Sequence, residues 1–185
     1  MRYKVRIMKQ EDSLQMAGIA LEAFPEAQPP TNYQKEFRNP LAHYIVVFDT
    51  QSTSERPVHY MVGYAGFWLM AGEAHIVDIA VREPYRRRGL GELLLISLLN
   101  LAIALNAVKV TLEVRASNSP AISLYQKYGF ILEGTRRRYY IDNNEDALIM
   151  TTPDICKEQY QLEFTELKKE HSKRWGFMLY PLRQG

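Results

Sequence analysis

Residues 112–130, LEVRASNSPAISLYQKYGF, hold the pattern from which the fold is read. Val110, Leu112 and Val114 alternate with Lys109, Thr111, Glu113 and Arg115, which predicts a strand over 109–115 with one apolar and one polar face. Asn118-Ser119-Pro120 then reads as a helix start, because proline is tolerated in a first turn. Tyr128-Gly129 reads as the helix end, where glycine supplies the left-handed cap. Upstream, a loop over 82–89 leads into a strongly apolar stretch that predicts a helix over about 91–106. Its core, Leu93 to Leu105, falls short of the roughly 18–20 residues that cross a bilayer, and Ser97 and Asn100 interrupt it. It reads as a buried helix.

Outward from this centre the chain alternates between elements. Strands are expected over residues 2–8, 43–48, about 58–70, about 74–82, about 130–141 and 145–151, with turns at Ala71-Gly72 and Asp142-Asn143-Asn144 and a hairpin loop over 49–57. Asp12-Ser13 offers an N-cap for a helix through about Phe24, and a short helix follows the proline-rich FPEAQPPTN near 33–38. Pro153 marks the expected end of the compact part, dividing a domain over 1–152 from an extension over 153–185. That extension holds a helix with Ile155, Tyr160, Phe164 and Leu167 near one face, then the apolar cluster WGFMLYPL. Such a cluster needs burial, and three placements are open to the extension: on the molecule's own sheet, against another subunit, or across the peptide entrance. Strands and helices mixed in this order predict an α/β (α+β) fold with a mixed sheet.

Composition narrows the function classes. The chain has 185 residues, 46% apolar and 24% charged, which suits one folded domain of ordinary composition. Its 23 basic and 21 acidic residues leave a net charge of +2, too balanced for direct binding to nucleic acid or to an acidic membrane. MRYKVRIMKQED lacks the apolar run of a secretory signal, so a cytoplasmic protein is expected. The single cysteine, Cys156, allows no internal disulfide, and His43, His59, His75 and His171 have no ligand-like spacing, so no metal is expected.

Two segments carry chemistry. Arg86-Arg87-Arg88-Gly89-Leu90-Gly91 sits between a strand and a helix, where unpaired helix N–H groups, small residues and arginines suit a pyrophosphate. The Lys-Ser/Thr of a P-loop is absent, as is the GxGxxG of a dinucleotide fold. A solvated basic turn fits the same residues. Glu113 reads either as a partly exposed strand carboxylate or as a base, and Tyr125, sharing a face with Ile122 and Tyr128, either as packing or as an acid. His75 and Asp78 lie on a neighbouring strand where either can touch substrate, or be an ordinary strand residue. Arg136–Arg138 reads first as a solvated strand end, and second as a contact for an acidic peptide or a phosphate. Tyr64 and Trp68 read as core or groove wall.

Taken together, Arg86-x-x-Gly89-x-Gly91 resembles the Q/R-x-x-G-x-G/A acetyl-CoA loop of the GNAT acetyltransferases. LEVRASNSPAISLYQKYGF, RRRYY (136–140) and EDALIM (145–150) are similar to one branch, the RimI-type ribosomal-protein-alanine N-acetyltransferases and related protein N-terminal acetyltransferases. The resemblance covers about residues 3–152 and is densest from 74 onward. It implies a mixed, mostly antiparallel sheet of six to seven strands flanked by helices, with acetyl-CoA as cosubstrate. It further implies Ile79, Ala80 and Val81 against the thioester and pantetheine, and Arg86, Arg87, Arg88, Gly89, Leu90, Gly91 and Glu92 around the pyrophosphate. Asn118 would contact CoA, Glu113 act as general base, Tyr125 as general acid, and Tyr139 and Tyr140 wall the peptide side. The implied acceptor is a protein N-terminal amine, with the N-terminal alanine of a small-subunit ribosomal protein expected. A small-molecule amine or lysine acceptor, or a non-catalytic CoA-binding module, are the rival readings. A monomer or homodimer is expected.

Overall fold

Residues 2–26, 29–51 and 60–176 are described by a computed structural model. Among them seven strands form one sheet: β1 (Tyr3–Ile7), β2 (Ala42–Asp49), β3 (Tyr60–Met70), β4 (Glu73–Val81), β5 (Lys109–Arg115), β6 (Ile131–Tyr140) and β7 (Glu145–Thr151). Five helices accompany it: α1 (Ser13–Ala23), α2 (Tyr33–Arg38), α3 (Leu90–Ala104), α4 (Ser119–Lys127) and α5 (Glu158–Trp175). Most of the expected hairpin loop over 49–57, and all but Trp175 and Gly176 of WGFMLYPL, lie outside the described residues.

The strand order is β1-β2-β3-β4-β5-β7-β6, with every neighbouring pair antiparallel except β4 and β5. A parallel pair needs a crossover, and α3 supplies it. The β4–β5 register runs only from Glu73↔Lys109 to Ile76↔Leu112. Beyond it β4 keeps β3 on one edge, through Gly63↔Val81, while β5 keeps β7 through Arg115↔Ala147. The sheet therefore splits between residues 77–81 and 113–115. An unmatched residue on β4, Val77, bulges the strand at the mouth of the split.

Apolar side chains fill both faces of the sheet. On one face α3 is buried nearly all round, through Leu90, Leu93, Leu94, Leu95, Ile96, Leu98, Leu99, Leu101 and Ala102. Each fully buried leucine contributes about 1.5–3 kcal/mol, so the apolar run that is too short for a membrane span makes the core instead. No described helix is long and apolar enough to cross a membrane. On the other face α1 and α2 pack through Met16, Ile19 and Tyr33 onto Tyr44, Val46, Met61 and Tyr64.

Three expectations change. Asp12 holds the N-cap position of α1 but does not cap it with its side chain: its carboxylate accepts from the Lys9 N–H at 2.7 Å and from both terminal nitrogens of Arg6. Thr111, on the supposedly polar face of β5, is buried against Thr151 with hydroxyls 2.9 Å apart, because β7 and the chain after it cover that end. Pro153 does not end the packed body. Ile155, Tyr160 and Phe164 are buried in the same core as α3, and Tyr160 Oη donates to the Tyr128 carbonyl at 3.1 Å. Of the three places open to the extension, α5 takes the molecule's own surface.

Candidate active site

The split between β4 and β5 gathers almost every residue that the sequence singles out. On its β4 side, Ile79, Ala80 and Val81 have a strand partner on one edge only. Directly after β4 the chain makes a 3-10 turn over Glu83–Tyr85 and enters α3. Arg86 Nε donates to the Val81 carbonyl at 3.1 Å, folding the loop back on the strand. Arg88 lies over the Tyr85 ring, 5.3 Å from its centroid, and Arg86 and Arg87 are exposed.

Gly89 caps α3 with φ 74° and ψ 4°, a left-handed geometry that glycine adopts without a Cβ penalty. Its carbonyl receives the Leu93 N–H at 2.9 Å, the first bond of the helix ladder. The N–H groups of Leu90, Gly91 and Glu92 thus have no partner within the helix, and they sit at the positive end of its dipole. A Cβ built on Gly91 meets nothing within 4 Å. Open space over unpaired N–H groups, flanked by arginines, fits a diphosphate. Glu92 is otherwise engaged. Its carboxylate accepts from Lys127 Nζ and Tyr128 Oη, both at 2.8 Å, so the side chain ties α3 to α4 and only its backbone N–H is left for an anion. Asn118 Oδ1 caps α4 by accepting from the Ala121 N–H at 3.3 Å, which leaves its amide N–H groups for a ligand.

The other side of the split holds a charged cluster. Glu113 Oε2 lies 2.6 Å from His75 Nε2, and Glu113 Oε1 lies 3.0 Å from Arg136. Its side chain is only 10% exposed, against 33% for His75. The bond to His75, and the charges of His75 and Arg136, hold the carboxyl below its ordinary range, while the bond to Glu113 raises His75. Arg136 stays half-exposed, but it is more than the solvated strand end that the sequence suggests, because the sheet brings it across β7 to Glu113. No local signal announces this contact, which depends on the β5-β7-β6 order.

Tyr125 packs its ring 5.6 Å from that of Phe130, and its hydroxyl has no hydrogen-bond partner among the described residues. Burial pushes it up to about 12, so it is a phenol at neutral pH. Tyr139 and Tyr140 stand edge to face at 5.2 Å, with Arg136 5.5 Å over the first ring and Arg115 3.9 Å over the second.

Two features escape the sequence. Tyr33 on α2 donates to Asp78 at 3.1 Å and lies 2.6 Å from the buried Tyr64 hydroxyl. Together with α1, Tyr33 and Asp78 border a cavity of about 490 Å³, walled by Leu14, Ala17, Leu21 and Phe24. Burial lifts Asp78 to about 6. Trp68, by contrast, is partly exposed and donates its indole N–H to Glu36 on α2 at 2.6 Å. The second feature is α5. His171 Nε2 lies 3.0 Å from the Gly89 carbonyl, and the Trp175 indole covers the Gly89 Cα. Tyr160, Phe164, Leu167, His171 and Trp175 recur at helical spacing, so the stripe is legible but its target is not.

Comparison with known proteins agrees with this architecture. The model of the Acetyltransferase (GNAT) family matches residues 12–130. A Bacillus subtilis protein named for ribosomal protein bS18-alanine N-acetyltransferase activity is 39% identical over 147 residues, spanning 79% of this chain and 92% of its own. An N-alpha-acetyltransferase of Sulfurisphaera tokodaii is 36% identical over 160 residues, spanning 82% and 93%. The crystal structure of the ribosomal-protein-S18-alanine N-acetyltransferase from Escherichia coli superposes with a TM-score of 0.67 at 29% identity, covering 82% of this chain and 94% of that one.

Proposed function

Since the chain belongs to the GNAT acetyltransferase family and is an acetyl-CoA-dependent N-acetyltransferase, we propose that it acetylates the α-amine of a protein N-terminus. The N-terminal alanine of ribosomal protein S18 is the expected acceptor, on the names of the relatives from Bacillus subtilis and Escherichia coli. We assign the transferase to residues 1–152, with 153–185 as a C-terminal helical extension whose helix braces the acetyl-CoA loop. The observation that carries the reading is the split sheet, with an anion cradle on one bank and the Glu113 cluster on the other.

Acetyl-CoA supplies the activated acyl group. The N–H groups at the start of α3 and the side chains of Arg86, Arg87 and Arg88 hold its diphosphate, and the Asn118 amide adds a donor. The free edge of Ile79–Val81 takes the pantetheine and offers N–H groups to the developing oxyanion. The amine attacks the thioester carbon, its proton leaves toward the Glu113 cluster, and Tyr125 returns a proton to the CoA thiolate. Tyr139 and Tyr140 wall the acceptor's approach. An α-amine has a pKa of about 7.7–8.0 against about 10.4 for lysine, an advantage of about 2.5 units or about 3.4 kcal/mol at neutral pH. No covalent enzyme intermediate is needed, and Cys156, near the start of α5, has no part.

The test is acetyl-CoA turnover, read as free CoA, on a panel of N-terminal peptides including an alanine-starting S18 peptide, with lysine peptides and polyamines as controls. Turnover confined to α-amines is the expected result. Turnover only on lysine or polyamines overturns the acceptor, and CoA binding without any turnover overturns the enzyme.

A further inference from the structure

We propose that His75, held by Glu113, is the group that takes the proton from the attacking amine. This rests on the acetyl-transfer reading above and names the atom that serves it.

Hydrogen-bond partners and exposure together point to the residue that acts. Glu113 is a carboxylate, and an ionised carboxylate only accepts hydrogen bonds. The atom 2.6 Å from its Oε2, His75 Nε2, must therefore carry the proton of that bond. In the neutral ring the other nitrogen, Nδ1, is then the unprotonated one. His75 Nδ1 has no partner among the described residues. Both Glu113 oxygens already face a partner, Oε2 His75 and Oε1 Arg136, and its side chain is 10% exposed against 33% for His75. Of the two residues, the imidazole is the more accessible.

Their placement agrees. His75 is the last-but-one residue of β4 still paired with β5, opposite Thr111, so it stands where the strands begin to part. The charged groups that act on it are Glu113 on β5, Arg136 on β6 and Glu73 on its own strand; Glu36 on α2 is occupied by Trp68. Glu113 and Glu73 favour its protonated form, and burial and Arg136 oppose it. The bond to Glu113 is the largest of these and raises the ring above its ordinary value, which makes it a stronger base near neutrality.

The step balances without a further reactant. The amine nitrogen bonds to the thioester carbon, one of its N–H protons passes to His75 Nδ1, the C–S bond breaks, and the thiolate receives the Tyr125 proton. The imidazolium and the phenolate then return to their starting states by passing that one proton back through solvent. Glu113 is a positioning residue: it fixes the tautomer and steadies the imidazolium.

Two variants and one spectrum test this in the full chain. The pH profile of kcat/KM is measured on the best α-amine peptide for wild type, His75→Gln and Glu113→Gln. In His75→Gln the new amide keeps a donor toward Glu113 but supplies no base, so kcat falls about 100-fold or more and the acidic limb assigned to the imidazole disappears. Glu113→Gln keeps the imidazole, so part of the activity remains and the limb moves to lower pH. His75→Gln within about twofold of wild type, or Glu113→Gln dead at every pH beside an active His75→Gln, overturns the proposal. The spectrum needs no acceptor: histidine 15N NMR should find the Nε2–H tautomer at His75 and a lower titration midpoint in Glu113→Gln. An Nδ1–H tautomer overturns it. A wild type inert on every peptide refutes the acceptor reading instead, and the tautomer then decides the pair alone.

Discussion

The two glycines of the loop should respond in opposite ways to a single methyl group. At Gly89 the backbone is left-handed, φ 74°, and a Cβ there lies 2.7 Å from Cδ2, Cε2 and Nε1 of Trp175. The left-handed conformation costs an L-residue about 1–2 kcal/mol, and pushing the indole aside costs about 1–3 kcal/mol more. Gly89→Ala therefore loses about 2–5 kcal/mol, which for a domain of this size lowers Tm by roughly 5–20 °C, and it raises KM for acetyl-CoA by distorting the turn. At Gly91 no atom lies within 4 Å and the backbone is helical, so Gly91→Ala gains up to about 1 kcal/mol of helix propensity and changes KM little. A loop motif that fixes the first glycine and admits glycine or alanine at the second is thereby explained by φ, and in this chain the indole adds to the cost at Gly89. Thermal unfolding by circular dichroism, with initial rates against acetyl-CoA, measures both effects. The pair Gly89→Ala and Trp175→Ala isolates the overlap. Removing the indole abolishes the steric part but not the backbone part, so the double mutant should be about 1–3 kcal/mol more stable than additivity gives. A Gly89→Ala protein that melts with wild type, or a strictly additive double mutant, refutes the claim that α5 braces this turn.

Three other outcomes follow from the site. Asp78, at about 6 in the fold against an ordinary 3.8, prefers its protonated form there, so its contribution to stability is full below pH 4 and is lost as pH rises through about 6. Asp78→Asn keeps an acceptor for Tyr33 and should match wild type in denaturant unfolding at pH 4, then exceed it by up to about 3 kcal/mol at pH 7.5; equal stability at both pH values counts against a buried, ionised carboxylate. Tyr125→Phe keeps the packing on Phe130 and removes the phenol proton, so kcat should fall by about 100-fold with little change in Tm, and an unchanged kcat excludes the acid role. Arg136 lowers the His75 pKa through its charge, so Arg136→Ala should move the acidic limb of kcat/KM to higher pH, and a limb moving downward contradicts the assigned cluster.

What the sequence yields, and what it withholds, follows from range along the chain. The strand over 109–115, the helix opened by Asn118-Ser119-Pro120 and the glycine stop at 129 are local signals, and they appear within a residue or two. The loop at 86–91 is local as well, since its glycine and its helix start are chain neighbours. Glu113 meets His75 and Arg136 only because β4 lies on one side of β5 and β6 lies beyond β7 on the other, an order set by the whole sheet. Tyr33 meets Asp78 because α2 packs on β2 and beside α1, and nothing near Tyr33 announces it. Glu92 is legible only in part: its place in the motif suggests a cofactor contact, which its backbone N–H can still make, while the fold commits its carboxylate to Lys127 and Tyr128. The stripe from Tyr160 to Trp175 is visible as an apolar face, but a face does not name the surface that it will cover.

An imidazole base also bears on which amines the site takes. An imidazole of ordinary pKa about 6.5 lies within about 1.5 units of an α-ammonium but about 4 units below a lysine ammonium. Any rise that Glu113 imparts narrows both gaps equally and leaves the difference of about 2.5 units between the two acceptors intact. A strongly basic group would deprotonate both amines and erase that difference. Arg136, beside the cluster and half-exposed, adds a positive charge that an incoming ammonium must approach, whereas a neutral amine approaches without that repulsion. The pairing of His75 with Glu113, flanked by a cation, therefore selects by protonation state before any side chain of the acceptor is read.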